Sequence, residues 1–88
     1  NKGIEPRLDG FTDDQGFDWV NRSFEALIPK AEDCGVIMGL ENHWGLGRDA
    51  KGVLRVLDTI KSPWLQATLD TGNFLENMYE QMEALAPR

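Results

Sequence analysis

The 88 residues are 41% apolar, with 9 basic and 15 acidic side chains and a formal net charge of −6. That length supports one domain at most, with a thin core, and an acidic chain with scattered Lys and Arg is not built to wrap phosphate backbones. A single cysteine, Cys34, excludes an internal disulfide framework, and no apolar run nears the roughly 18 residues of a membrane span, so neither nucleic acid nor membrane is expected as a partner.

The chain opens on Asn1 in polar, loop-like sequence without a charged-then-apolar leader. It reads as an internal piece of something longer, with the cytoplasm as the expected compartment. Residues 1–12 carry Gly3, Pro6 and Gly10 among charges and are expected to be loop. Phe17, Val20, Phe24, Leu27, Ile28, Ala31 and Cys34 then recur by threes and fours, which predicts a helix. Thr12, Asp13 and Asp14 suit its start and Gly35 its stop, while Pro29 removes a donor and predicts a kink near Glu25. Cys34, on that stripe, is read as core.

The apolar run Val36–Glu41 follows directly and predicts a buried strand. Asn42 to Gly47 reads as a flexible loop, since Gly45-Leu46-Gly47 lacks the rest of any phosphate-binding pattern. Asp49 opens a second helix over Ala50, Val53, Leu54, Leu57 and Ile60, ended by Ser62-Pro63. Trp64–Asp70 is a second strand, Thr71-Gly72-Asn73 turns out of it, and Leu75, Met78, Met82 and Leu85 mark a third helix stopped by Pro87. Glu76, Glu80 and Glu83 on that helix form a solvated face. Helices alternating with strands predict an α/β fold with parallel strands, and two strands with three helices are only part of such a sheet.

Side chains alternate along a strand, so Ile37, Gly39 and Glu41 share one face, as do Gln66, Thr68 and Asp70. The aliphatic faces suit the helices, leaving both acids toward a barrel interior or crevice at the carboxyl ends of their strands, where parallel α/β folds place their sites. Adjacent strands lie about 4.8 Å apart, close enough for two carboxylates to reach one ion. Each acid could equally be a cap for the helix that follows. His43, the lone histidine, sits two residues beyond Glu41 on the same rim, as a surface residue or a ligand-facing one. Trp44 beside it is a substrate platform or a hydrophobic lid. Asn21-Arg22-Ser23 matches a glycosylation sequon but falls within a helix. Asp70-Thr71-Gly72 matches the triplet of aspartic proteases, yet those are nearly all-β and need hairpin flaps where this sequence predicts a helix.

Gly35-Val36-Ile37-Met38-Gly39-Leu40-Glu41-Asn42-His43, Ser62-Pro63-Trp64 and Leu69-Asp70-Thr71-Gly72-Asn73-Phe74 resemble the sugar phosphate isomerase/epimerase family, the xylose isomerase-like group of (β/α)8 TIM barrels. Tyr79–Pro87 resembles the helix that follows in that family, and Pro29 with Ala31, Gly35 and Val36 fits its pattern. The resemblance spans about residues 10–87. It implies that residues 1–88 are a partial TIM barrel domain, about the middle third, around the fifth and sixth strands. Family members hold a divalent metal with a Glu, an Asp, a His and a second Glu from successive strand ends. Glu41 matches the first ligand and Asp70 the second, with the other two expected from the next two strands. The ligand glutamates also serve as the acid/base pair, making Glu41 the catalytic residue here. Asn73 occupies the position, three residues past the ligand Asp, at which many relatives carry a substrate-contacting His, and His43 resembles the pocket His of Glu-Asn-His variants; both are candidate substrate-binding residues.

A base near neutral pH and a cation beside the carbonyl oxygen suit proton removal next to a carbonyl. An oxygen-rich donor set favours Mn²⁺, Mg²⁺ or Co²⁺, with Zn²⁺ possible. The expected function is therefore part of a metal-dependent isomerase or epimerase of a small sugar or polyol. A dehydratase or hydroxypyruvate isomerase of the same superfamily would use the same groups, whereas an endonuclease relative needs more metal-binding His and a basic face. A full barrel takes about 250 residues, so 88 residues are expected to be inactive alone. A non-catalytic partial barrel that assembles into a homo-oligomer and binds a ligand is the alternative of a different class.

Overall fold

The computed structural model describes residues 9–88, so the loop expected at the start lies outside the described residues as far as residue 8. Three helices and two strands follow in the expected order: α1 (Asp13–Cys34), β1 (Met38–Glu41), α2 (Ala50–Ile60), β2 (Leu65–Thr68) and α3 (Met78–Leu85). The connection after β1 contains a 3₁₀ turn, Gly45–Gly47, in place of the expected flexible loop.

Local chemistry sets the ends of α1. Thr12 and Gln15 form a capping box, in which the Gln15 backbone N–H donates to Thr12 Oγ1 at 3.2 Å and Gln15 Oε1 accepts from the Thr12 N–H at 2.9 Å. Gly35 ends the helix at φ 66°, and the Gly35 and Val36 N–H groups donate to the Glu32 and Ala31 carbonyls, a Schellman closure that a left-handed glycine permits. The helix runs as one element through Pro29. Pro29 and Glu25 are both exposed, so the carbonyl left without its helical donor faces water.

Phe17 and Ala31 are buried, and Val20, Phe24 and Ile28 pack against the core. Cys34 is exposed, not core. At 100° per residue it falls about 80° from the centre of the stripe that those five positions define. Leu27, at the margin of the same stripe, is also exposed.

The two strands pair in parallel, with Met38 opposite Leu65, Gly39 opposite Gln66, Leu40 opposite Ala67 and Glu41 opposite Thr68. Both are shorter than the sequence suggests. Val36 and Ile37 precede the first rung, the Met38 N–H to the Trp64 carbonyl, and stand more than half exposed. β2 begins only after the Ser62-Pro63 turn, so nothing lies opposite them in the ladder. α3 starts at Met78 rather than at Leu75, because Asn77 adopts φ 45° and breaks the helical path.

The two faces of the sheet differ. Met38, Leu40, Leu65 and Ala67 turn to the core, while Gly39, Glu41, Gln66 and Thr68 are exposed, the alternation the sequence predicts. On the open face a Cβ at Gly39 would run into Thr68 Oγ1, so any side chain there would force the Thr68 hydroxyl aside. α2 is the centre of the core: Ala50, Val53, Val56 and Leu57 pack with Phe17, Leu65, Phe74 and Leu85. The molecule measures 37 × 34 × 19 Å, and its thin dimension is one layer of helices on one sheet. No described helix is long and apolar enough to cross a membrane.

Candidate metal and substrate site

The open face ends, at the carboxyl edge of the sheet, in a small polar constellation. Glu41 is the last residue of β1 and its side chain is exposed. Asp70 lies two residues past the end of β2, since the ladder closes at Glu41 and Thr68. Two residues of strand rise come to about 6.6 Å, so Asp70 stands one same-face step beyond Glu41 rather than level with it.

Asn42 spans that offset. It is buried with no exposed surface, the one polar residue in the core among the described residues. Its Oδ1 accepts from the Asp70 backbone N–H at 2.7 Å, and its Nδ2 donates to the Asp70 carbonyl at 2.8 Å. A carboxamide carries the same donor and acceptor pair as a peptide, and here it takes the place of the next rung of the ladder. Asp70 itself folds back: its Oδ1 accepts from the Gly72 N–H at 2.7 Å, an Asx turn that leads the chain out of the sheet. The Asn73 side chain closes the group, with Nδ2 donating to the Asn42 carbonyl at 2.9 Å and to Glu41 Oε1 at 3.2 Å.

Glu41, Asp70 and Asn73, all sequence candidates, therefore meet at one rim. His43 shares that rim but is turned to other partners. Its backbone N–H donates to the Gly47 carbonyl at 3.0 Å, and its ring lies 4.6 Å from the Trp44 ring at 42°. No hydrogen bond ties the His43 side chain to either carboxylate among the described residues. Trp44 is half-buried and, with Glu41, lines a cavity of about 290 Å³ whose other walls include Phe17, Val20, Leu40 and Val53. The Asp70-Thr71-Gly72 triplet leads through a turn into α3 and not into a hairpin, which removes the protease reading. Glu76, Glu80 and Glu83 are exposed, as a solvated face requires.

Sequence reasoning placed the two acids but missed the residue between them. Asn42 read as the first residue of a loop and as part of the Glu-Asn-His stretch, with no role of its own. The available signal was an amide directly after a strand-ending acid, at the register where the neighbouring strand still runs.

Two carboxylates on an open face form an oxygen donor set that fits a hard divalent cation. Asp70 Oδ1 is engaged by a backbone N–H and Glu41 Oε1 by an amide, which leaves the second oxygen of each for an ion. Among the described residues no group of three or more His, Cys, Asp or Glu side chains is placed to hold a metal.

No curated protein and no solved structure matches the chain. A family model does: the xylose isomerase-like TIM barrel, over residues 3–88. That match spans nearly the whole chain and agrees with the helix-strand alternation, the parallel register and the polar rim at the carboxyl ends of the strands. The chain belongs to the xylose isomerase-like TIM barrel family, and its α/β fold is a section of that barrel.

Proposed function

We propose that the chain supplies half of the divalent-metal site, and one acid/base group, of an isomerase or epimerase acting on a small sugar or polyol. The observation that carries this reading is the pairing of Glu41 and Asp70 at adjacent strand ends on the open face, joined through Asn42 and Asn73. Asp70 would hold the cation through its free oxygen. Glu41 would do the same, and it also moves the proton: its carboxylate takes the hydrogen from the carbon beside the substrate carbonyl, and the C–H electron pair becomes a carbon–carbon double bond as the carbonyl oxygen gains negative charge. Return of a proton to that carbon from the opposite face re-forms the carbonyl and gives the epimer; return to the former carbonyl carbon, with the neighbouring hydroxyl proton passing to the former carbonyl oxygen, gives the isomer. A bound Mn²⁺, Mg²⁺ or Co²⁺ would offset the charge developing on the substrate oxygen.

Asn73 keeps one Glu41 oxygen occupied, which orients the other toward the open face. His43 and the Trp44 ring edge the same rim and would contact substrate hydroxyls and the apolar side of the sugar ring. The proton-transfer role is tested in a complete eight-stranded barrel containing this chain, where Glu41→Gln is expected to abolish exchange of the substrate C–H with solvent deuterium. The ligand role is tested with Mn²⁺ alone. Glu41→Gln and Asp70→Asn are each expected to weaken binding at least tenfold, and wild-type affinity in both would refute the assignment.

A further inference from the structure

We infer that Asn42 is a positioning residue, the latch that sets the spacing between the Glu41 and Asp70 carboxylates. The inference rests on the reading of those two side chains as metal ligands and extends it to a group that touches neither metal nor substrate.

Burying an amide is costly unless its polar atoms are bonded. An apolar side chain would fill this place without that cost if filling were all the place required. Instead Asn42 is wholly buried and spends both carboxamide atoms on one residue, Asp70, at 2.7 and 2.8 Å. Those bonds hold the Asp70 peptide groups on either side of its Cα, so they fix the direction in which the side chain leaves the backbone. Asp70 Oδ1 is then pinned by Gly72, and the free oxygen has one direction left.

At the other end Asn42 is bonded covalently to Glu41, and its carbonyl anchors the Asn73 amide that reaches Glu41 Oε1. The main-chain ladder cannot do this work. It stops at Glu41 and Thr68, two residues short of Asp70, and beyond Glu41 the backbone leaves for the 3₁₀ turn. Groups that orient ligands in this way are worth about 10- to 100-fold in metal affinity.

The experiment compares Mn²⁺ affinity in a complete eight-stranded barrel containing this chain, unmutated and as Glu41→Gln, Asp70→Asn, Asn42→Ala and Leu57→Ala. Leu57 is buried in α2 at the opposite end of the sheet, beside Lys61 and Leu65, so its truncation destabilises the fold without touching the rim. Asn42→Ala is expected to weaken Mn²⁺ binding about tenfold or more well below its melting temperature, while Leu57→Ala keeps wild-type affinity despite a comparable loss of Tm. Equal affinities for Asn42→Ala and the unmutated barrel, with binding lost in Glu41→Gln and Asp70→Asn, overturn the positioning role and leave the ligands standing. Unchanged binding in both carboxylate variants overturns the ligand reading, and the role of Asn42 with it.

A measurement on the unmutated barrel covers the case in which Asn42→Ala does not fold. Coupling between two events is reciprocal. If the latch favours metal binding, saturation with Mg²⁺ must slow hydrogen exchange at the Asp70 amide. An exchange rate indifferent to saturating Mg²⁺ overturns the proposal.

Discussion

The chain builds the same unit twice, a strand, a connection and a helix, and the two copies are held in different ways. The first, β1 to α2, supplies its own carboxylate position and helix cap. Its carboxylate sits on the strand itself, Asp49 Oδ1 accepts from the Gly52 N–H at 2.7 Å to cap α2, and four α2 side chains are buried. The second, β2 to α3, borrows its order. Asp70 lies past the strand and is held by Asn42 of the first unit, Asn77 gives α3 no side-chain cap, and Leu85 is the one buried residue of the helix. Among the described residues α3 returns one hydrogen bond: Gln81 Oε1 accepts from the Ala50 N–H at 2.8 Å at the start of α2. A barrel lets one unit be positioned by the previous one, because consecutive units are neighbours in space as well as in sequence.

The comparison is broken most severely at Leu85. Leu85→Ala removes the one buried anchor of α3 and is expected to cost about 3 kcal/mol in a urea titration, near the middle of the range for buried leucines. Hydrogen exchange should show the loss unevenly, with α3 amides losing protection before those of α2. Equal loss in both helices would mean that the second unit is as self-contained as the first.

Gln81→Ala is a smaller blow to the same dependence. It leaves the Ala50 N–H without its partner and frees the Glu76 carbonyl, to which Gln81 Nε2 donates at 2.7 Å. A loss of about 1 kcal/mol is expected, similar to the loss of the Asp49 cap. Because both side chains satisfy the first turn of α2, the double variant is expected to lose more than the sum of the two. Strict additivity in a double-mutant cycle would uncouple α3 from the α2 terminus.

What the sequence could reveal follows the same division. The ends of α1 and the start of α2 were legible because Thr12, Gly35 and Asp49 act on backbone groups within a few residues of themselves. The inward and outward parity of both strands was legible from alternation alone. Strand ends were not, because a strand stops where its partner stops. Val36 and Ile37 look like strand and find nothing opposite, and Leu69 and Asp70 outrun β1. Leu75 looked helical because its spacing fits, but Asn77 turns the backbone in between. The candidate site divides likewise: the two acids were visible from the strand pattern, whereas the partner of Asn42 lies 28 positions away, and the amide after Glu41 signals at most that a partner exists.

The smallest effect compares two residues in the same strained conformation, one in each unit. Lys61 closes α2 at φ 51°, ψ 38°, and Asn77 precedes α3 at φ 45°, ψ 43°. A left-handed backbone costs an ordinary L-residue roughly 1–2 kcal/mol, and glycine avoids that cost while losing part of the gain to its freer unfolded chain. Lys61→Gly is therefore expected to stabilise the fold by about 0.5 kcal/mol, since lysine has no local means of relieving the strain. Asparagine tolerates this region far better, so Asn77→Gly should leave stability within about 0.3 kcal/mol of its starting value. The two substitutions differ in sequence context but not in backbone geometry. A gain at residue 61 with none at residue 77 would show that the second unit, although it borrows its carboxylate position, has chosen its own residue for the turn where it leaves the sheet.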